Sequence, residues 1–170
     1  MVRRLWNRRQ VLSILAAGGL ATASRLRAAI AVAEADDKVD LAKVPAKAKE
    51  AASKAMPRAK WTGATKSVED GVVTYELEGE DTSKRYVWVD VTADAKVTEV
   101  GTEILAAKVP QVVTAALKKK FPRFQVSTSY EARHEGKVIR YDFEGKRPRD
   151  KEEITVSVSP DGKEVEIEED

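Results

Sequence analysis

The chain has 170 residues, of which 34% are charged and 42% hydrophobic, the profile of one ordinary soluble domain or two small ones. Its formal charge of +2 does not mark a nucleic-acid binder. The first 33 residues carry six arginines and no acid, and the remainder holds 24 basic against 28 acidic side chains, a net charge of −4. The absence of cysteine excludes disulfides, a thiol nucleophile, cysteine-ligated zinc and a lipidated cysteine.

Residues 1–33 have the three parts of an export signal. Arg3, Arg4, Arg8 and Arg9 form the positive region, residues 11–23 are apolar, and Ala31-Val32-Ala33 offers small residues for cleavage. The apolar run is too short for the ~20 residues that span a bilayer. Asn7-Arg8-Arg9-Gln10-Val11-Leu12 resembles a twin-arginine signal, and the basic Arg25 and Arg27 beyond the apolar run fit that route. An ordinary secretory signal with adjacent arginines is the alternative. Either way the expected location is outside the cytoplasm, periplasmic or extracellular. Residues 34–43 are short, polar and acidic, and read as a flexible lead-in.

From Val44 onward a pattern occurs twice. Val44-Pro45 and Pro57 recur as Val109-Pro110 and Pro122 at an offset of 65, Gly79 recurs as Gly145 at 66, and Asp94 as Asp161 at 67. Ordered anchors over this distance point to an internal duplication, with repeats at 44–100 and 109–170. In the first, Ala48, Ala51, Ala52, Ala55 and Met56 fall on one face of a helix that Pro57 stops. Val113, Ala116, Leu117 and Phe121 take that face in the second.

The period then changes to two. Val73, Tyr75 and Leu77, then Val87, Val89 and Val91, share one side of successive strands; Ile139, Tyr141, Phe143 and then Ile154, Val156, Val158 are their counterparts. Asp70-Gly71, Glu135-Gly136 and Ser159-Pro160-Asp161-Gly162 mark turns. The expected fold class is therefore α+β: two tandem units of one helix and an antiparallel four-strand meander, joined by a short link at 101–108, with both helices on one face of the sheet or sheets. Val87, Val89, Val156 and Val158 should be buried, and Glu76, Asp90 and Ser157 should not.

No catalytic set emerges. His134 is the sole histidine and reads as a solvated turn residue beside Glu135-Gly136. Phosphate loops, nucleophile elbows and His-rich metal spacings are absent. The acidic end, residues 164–170, alternates with Val165 and Ile167 and reads as a final strand rather than a calcium site, and Lys118-Lys119-Lys120 as a solvated helical turn. Neither an enzyme, a cofactor nor a metal is expected. The informative surface is aromatic. Tyr86 and Trp88 alternate against Val87 and Val89, so they point away from the helices, with Thr74, Glu76 and Asp90 beside them and Glu153 and Thr155 at the corresponding places of the second repeat. Aromatics on an open face anchor protein contacts unless something covers them. These five residues are the candidate partner-binding site, and truncating both aromatics should abolish binding without unfolding the chain.

The Val-Pro…Pro helix, the Tyr-x-x-Glu-Gly strand end (Tyr75 to Gly79, Tyr141 to Gly145) and the Asp-x-Lys hairpin (Asp94 to Lys96, Asp161 to Lys163) together resemble PepSY-like, beta-lactamase-inhibitor-like domains of exported bacterial proteins. The resemblance covers residues 41–170. It implies small helix-on-sheet units, no shared catalytic residues, and a role in binding or inhibiting another exported protein, often a hydrolase. The alternative is a structural or small-ligand-sensing envelope protein.

Overall fold

A computed structural model describes residues 37–148 and 152–168; the expected export signal lies outside them. The elements in chain order are β1 (Asp37–Val39), α1 (Ala46–Ala55), β2 (Lys60–Glu69), β3 (Val72–Glu80), β4 (Tyr86–Thr92), β5 (Val97–Ile104), α2 (Gln111–Lys120), β6 (Gln125–His134), β7 (Lys137–Lys146), β8 (Ile154–Val158) and β9 (Val165–Glu168). Every strand pairs antiparallel with the next, giving one sheet in the order β1 to β9.

This corrects the expected fold class. The described residues do not form two tandem helix-plus-meander units; they form a single nine-stranded, mostly β structure with two ten-residue helices. The cause is β5. Residues 101–104, expected in a link, are its second half, and it hydrogen-bonds to β4 through Val89↔Val100 and to β6 through Gly101↔Ala132 and Glu103↔Tyr130. A chain segment with both edges paired is an interior strand. The lead-in is likewise more ordered than expected. Asp37–Val39 pairs with β2 as an edge strand, and Leu41–Lys43 forms a 3-10 turn in which Asp40 Oδ1 accepts from the Ala42 N–H at 2.8 Å.

Both helices follow the Val-Pro pairs and both end two residues before the next proline, α1 at Ala55 before Pro57 and α2 at Lys120 before Pro122. Ala48 and Ala52 of α1 are fully buried, whereas Ala55 is exposed; in α2 Val113 and Leu117 are buried. The two helices cover the same side of the sheet. Under α1, with Val44, lie Ala64, Leu77, Val89 and Val91. Under α2, with Val109, lie Tyr141, Phe143, Val156, Val158 and Val165. Val87, Val89, Val156 and Val158 are thus buried as the two-residue period requires. Asp90 and Ser157, on the opposite side, are also buried, contrary to expectation, and Glu76 is half-buried.

The turn chemistry is as the sequence indicates. Asp70-Gly71 (φ 49° and 78°) and Glu135-Gly136 (φ 49° and 78°) both adopt the paired positive dihedrals of a tight hairpin whose twist matches its strands.

Candidate functional site

Along β3 and β4 the register pairs Thr74↔Thr92, Glu76↔Asp90, Glu78↔Trp88 and Glu80↔Tyr86. Alternation therefore brings Thr74, Glu76, Tyr86, Trp88 and Asp90 together on the side of the sheet away from the helices. Their exposure differs, however. Trp88 is 0% exposed, Asp90 is buried, and Thr74, Glu76 and Tyr86 are half-buried. Of the two aromatics, Tyr86 offers surface and Trp88 does not.

Trp88 lies on a flat seat. The backbone of Gly101, its partner on β5, is so close that a Cβ there would fall 1.9 Å from the indole ring. Around it, Tyr86 sits at a centroid distance of 6.1 Å and Tyr130 at 5.8 Å, with Tyr86 and Tyr130 6.0 Å apart; Tyr130 meets both other rings edge to face. This is the preferred quadrupolar arrangement. Ala132 and Ile139 complete the cluster. The hydroxyls point outward to carboxylates: Tyr86 Oη–H donates to Glu78 Oε2 at 2.9 Å and Tyr130 Oη–H to Glu144 Oε2 at 2.7 Å.

From the indole a polar chain runs across the sheet. Trp88 Nε1–H donates to Glu99 Oε1 at 3.0 Å. Arg140 on β7 clamps the same carboxylate with both terminal nitrogens, Nη1 to Oε2 at 2.5 Å and Nη2 to Oε1 at 2.7 Å, and its Nε reaches Asp142 Oδ2 at 3.0 Å. Ser157 Oγ lies 2.6 Å from Asp142 Oδ1 and 2.7 Å from Glu168 Oε1. Arg140, Glu99, Asp142, Ser157 and Glu168 are all buried. Burial works against the Arg140 charge, but Asp142 and Glu99 outweigh it and hold the guanidinium above its ordinary range. Arg140 reaches Glu99 over β6 because its partner there is the small Ala132. Bidentate geometry suits a desolvated pair. Ser157, expected to face water, instead bonds to Asp142 and Glu168 within this buried polar chain.

His134 is half-buried at a strand end rather than a solvated turn residue. It closes β6, and its Nδ1–H donates to the Thr98 carbonyl at 2.6 Å. Lys118 and Lys119 are exposed, and Lys120 donates to the Val165 carbonyl. In β9, Glu166 is exposed. Among the described residues no group of His, Asp and Glu is placed to hold a metal, and no helix is long and apolar enough to cross a membrane. Trp61 belongs to the helix side, where Nε1–H donates to Ser53 Oγ at 3.3 Å.

Sequence reasoning missed Glu99, Gly101, Tyr130 and Arg140. Glu99 and Gly101 sit in β5, half of which reads as a link. Arg140 and Asp142 alternate with Ile139, Tyr141 and Phe143 and look like a solvated strand face. Opposite charges two apart on one face were the available signal.

One antiparallel sheet with two short helices on one side defines a fold class already represented among solved structures. A protein of Bacteroides eggerthii described as periplasmic matches with a TM-score of 0.56 at 17% identity, over 73% of this chain and 88% of that one. A DUF2874 family protein of Bacteroides uniformis gives 0.54 at 15%, over 72% and 88%. A BLIP-like protein of Bacteroides fragilis gives 0.51 at 16%, over 74% and 89%. At these identities the likeness is one of fold, and it agrees with the BLIP-like resemblance. No family model and no curated protein matches the chain.

Proposed function

We propose that the chain is an exported, non-catalytic module of PepSY-like type that binds another protein of the cell envelope through the sheet face opposite its helices. The observation that carries this reading is the aromatic cluster on that face. Among the described residues neither helix covers it, and Tyr86 presents a half-buried ring braced by Trp88 and Tyr130. Rigid aromatics with a polar tip are the commonest anchors of protein contacts. The BLIP-like fold and the neighbour described as periplasmic support both the class of partner and the location. Residues 1–33, with Arg8 and Arg9, direct export and are then removed.

The test uses residues 34–170 as bait on a periplasmic extract, with Tyr86→Ala beside wild type. The captured partner should be lost, or its affinity reduced by roughly 30-fold, the effect of an interface anchor worth about 2 kcal/mol. Capture unchanged by Tyr86→Ala would place the contact elsewhere. Inhibition of a captured hydrolase, titrating one to one, would separate an inhibitor from a simple binder.

A further inference from the structure

We infer that Glu99 and Arg140 are positioning residues for the aromatic face: they fix the Trp88 indole, and through it the pose of Tyr86. The inference rests on the reading of this face as a binding surface. Its grounds are geometric. Trp88 has a single indole N–H, and it is committed to Glu99 Oε1 at 3.0 Å. That carboxylate is itself held at both oxygens by Arg140, at 2.5 and 2.7 Å. The Gly101 backbone beneath the ring leaves no room for the indole to sink, and Tyr130 closes one side at 5.8 Å. The ring therefore has one place to be, and Tyr86, 6.1 Å away, rests against it.

An aromatic held before the partner arrives loses less freedom on binding, so the ion pair acts on affinity without touching the partner. Recognition then draws on the Tyr86 ring and its Glu78-tethered hydroxyl, not on the indole N–H, which is already engaged.

The test needs a defined probe. A peptide is selected from a random display library for binding to residues 34–170 and for failure to bind Tyr86→Ala. Its affinity is then measured for Glu99→Gln, Arg140→Lys and Gly101→Ala, alongside the Trp88 indole N–H cross-peak in an amide–proton correlation spectrum, assigned by its loss in Trp88→Phe. Glu99→Gln should shift that cross-peak and weaken the peptide about three- to tenfold, as expected for a side chain that must be ordered on binding. Arg140→Lys, which keeps the charge but not the fork, should fall between it and wild type. Gly101→Ala, which displaces the ring and leaves the ion pair intact, should weaken binding in the same direction. An unshifted indole cross-peak and a peptide affinity within twofold of wild type in Glu99→Gln would overturn the inference while leaving the binding face standing. Failure to select any peptide that distinguishes Tyr86→Ala would instead remove the binding face itself. Should Glu99→Gln not fold, Gly101→Ala and Arg140→Lys decide by the same two readings.

Discussion

Trp88 and Tyr86 are neighbours of the same type on the same face, yet they answer to different demands. The 0% exposure of Trp88 makes it a packed residue on a side of the sheet that no described helix covers, whereas Tyr86 retains surface. The two truncations should therefore separate. Trp88→Ala empties a cavity beside Tyr86 and Tyr130 and removes the indole N–H from the Glu99 carboxylate, which keeps Arg140, and it should cost about 3–5 kcal/mol in a denaturant titration, the usual range for a buried large aromatic. Tyr86→Ala, by contrast, should fold and lose mainly the contact. The expectation that Trp88 lies on an open surface fails for a physical reason: period-two alternation says which way a side chain points, not what already lies there. A loss below about 1 kcal/mol on Trp88→Ala would show that the indole is not packed as described.

At the level of elements, the hairpin after β8 carries a measurable charge. Hydrogen bonds from Lys163 and Ser159 hold the Asp161 carboxyl well below the ordinary carboxylate range. A depressed carboxylate stabilises the fold fully above its unfolded pKa of about 4 and loses that contribution as pH falls toward the folded value. Asp161→Asn should therefore remove part of the acid-induced loss of stability below about pH 4 and lower stability at neutral pH. Identical pH profiles for the two proteins would show that the turn contributes nothing. Helices and turns of this kind were readable from sequence because each is specified locally: Pro57 and Pro122 as stops, Asp70-Gly71 and Glu135-Gly136 as paired positive dihedrals. The recurring Gly79 and Gly145 also have a local cause. A Cβ at either would lie 2.1–2.2 Å from the carbonyl oxygen of Lys60 or Gln125 across the strand. β1 and β5 were not readable. A three-residue edge strand has no period to detect, and the polar half of β5 becomes a strand only because β4 and β6 supply partners on both sides. The same holds for the Glu99–Arg140 clamp, whose members are 41 residues apart.

For the molecule as a whole, one continuous sheet means that the two helix-capped cores are not independent. The cores under α1 and α2 are separate clusters, but the ladder between β5 and β6 and the Glu99–Arg140 pair join them. Unfolding should be a single cooperative transition, with fluorescence of Trp88 in one half and a probe on α2 in the other melting together. Two resolved transitions would mean that the β5–β6 junction does not couple the halves.

Because strand order follows chain order, successive connections alternate between the two ends of the sheet. The links at 70–71, 93–96, 135–136 and 159–164 fall at one rim, while both helical excursions and the β3–β4 connection at 81–85 begin and finish at the other, where β7 ends and β8 begins. The molecule thus has a lengthwise polarity. Tyr86, the first residue of β4, stands at the rim of the helical excursions, and the hairpin glycines Gly71 and Gly136 stand at the far one. A dye, spin label or surface tether attached at 70–71 or 135–136 addresses the end of the sheet remote from Tyr86, whereas the β3–β4 connection at 81–85 leads directly into it.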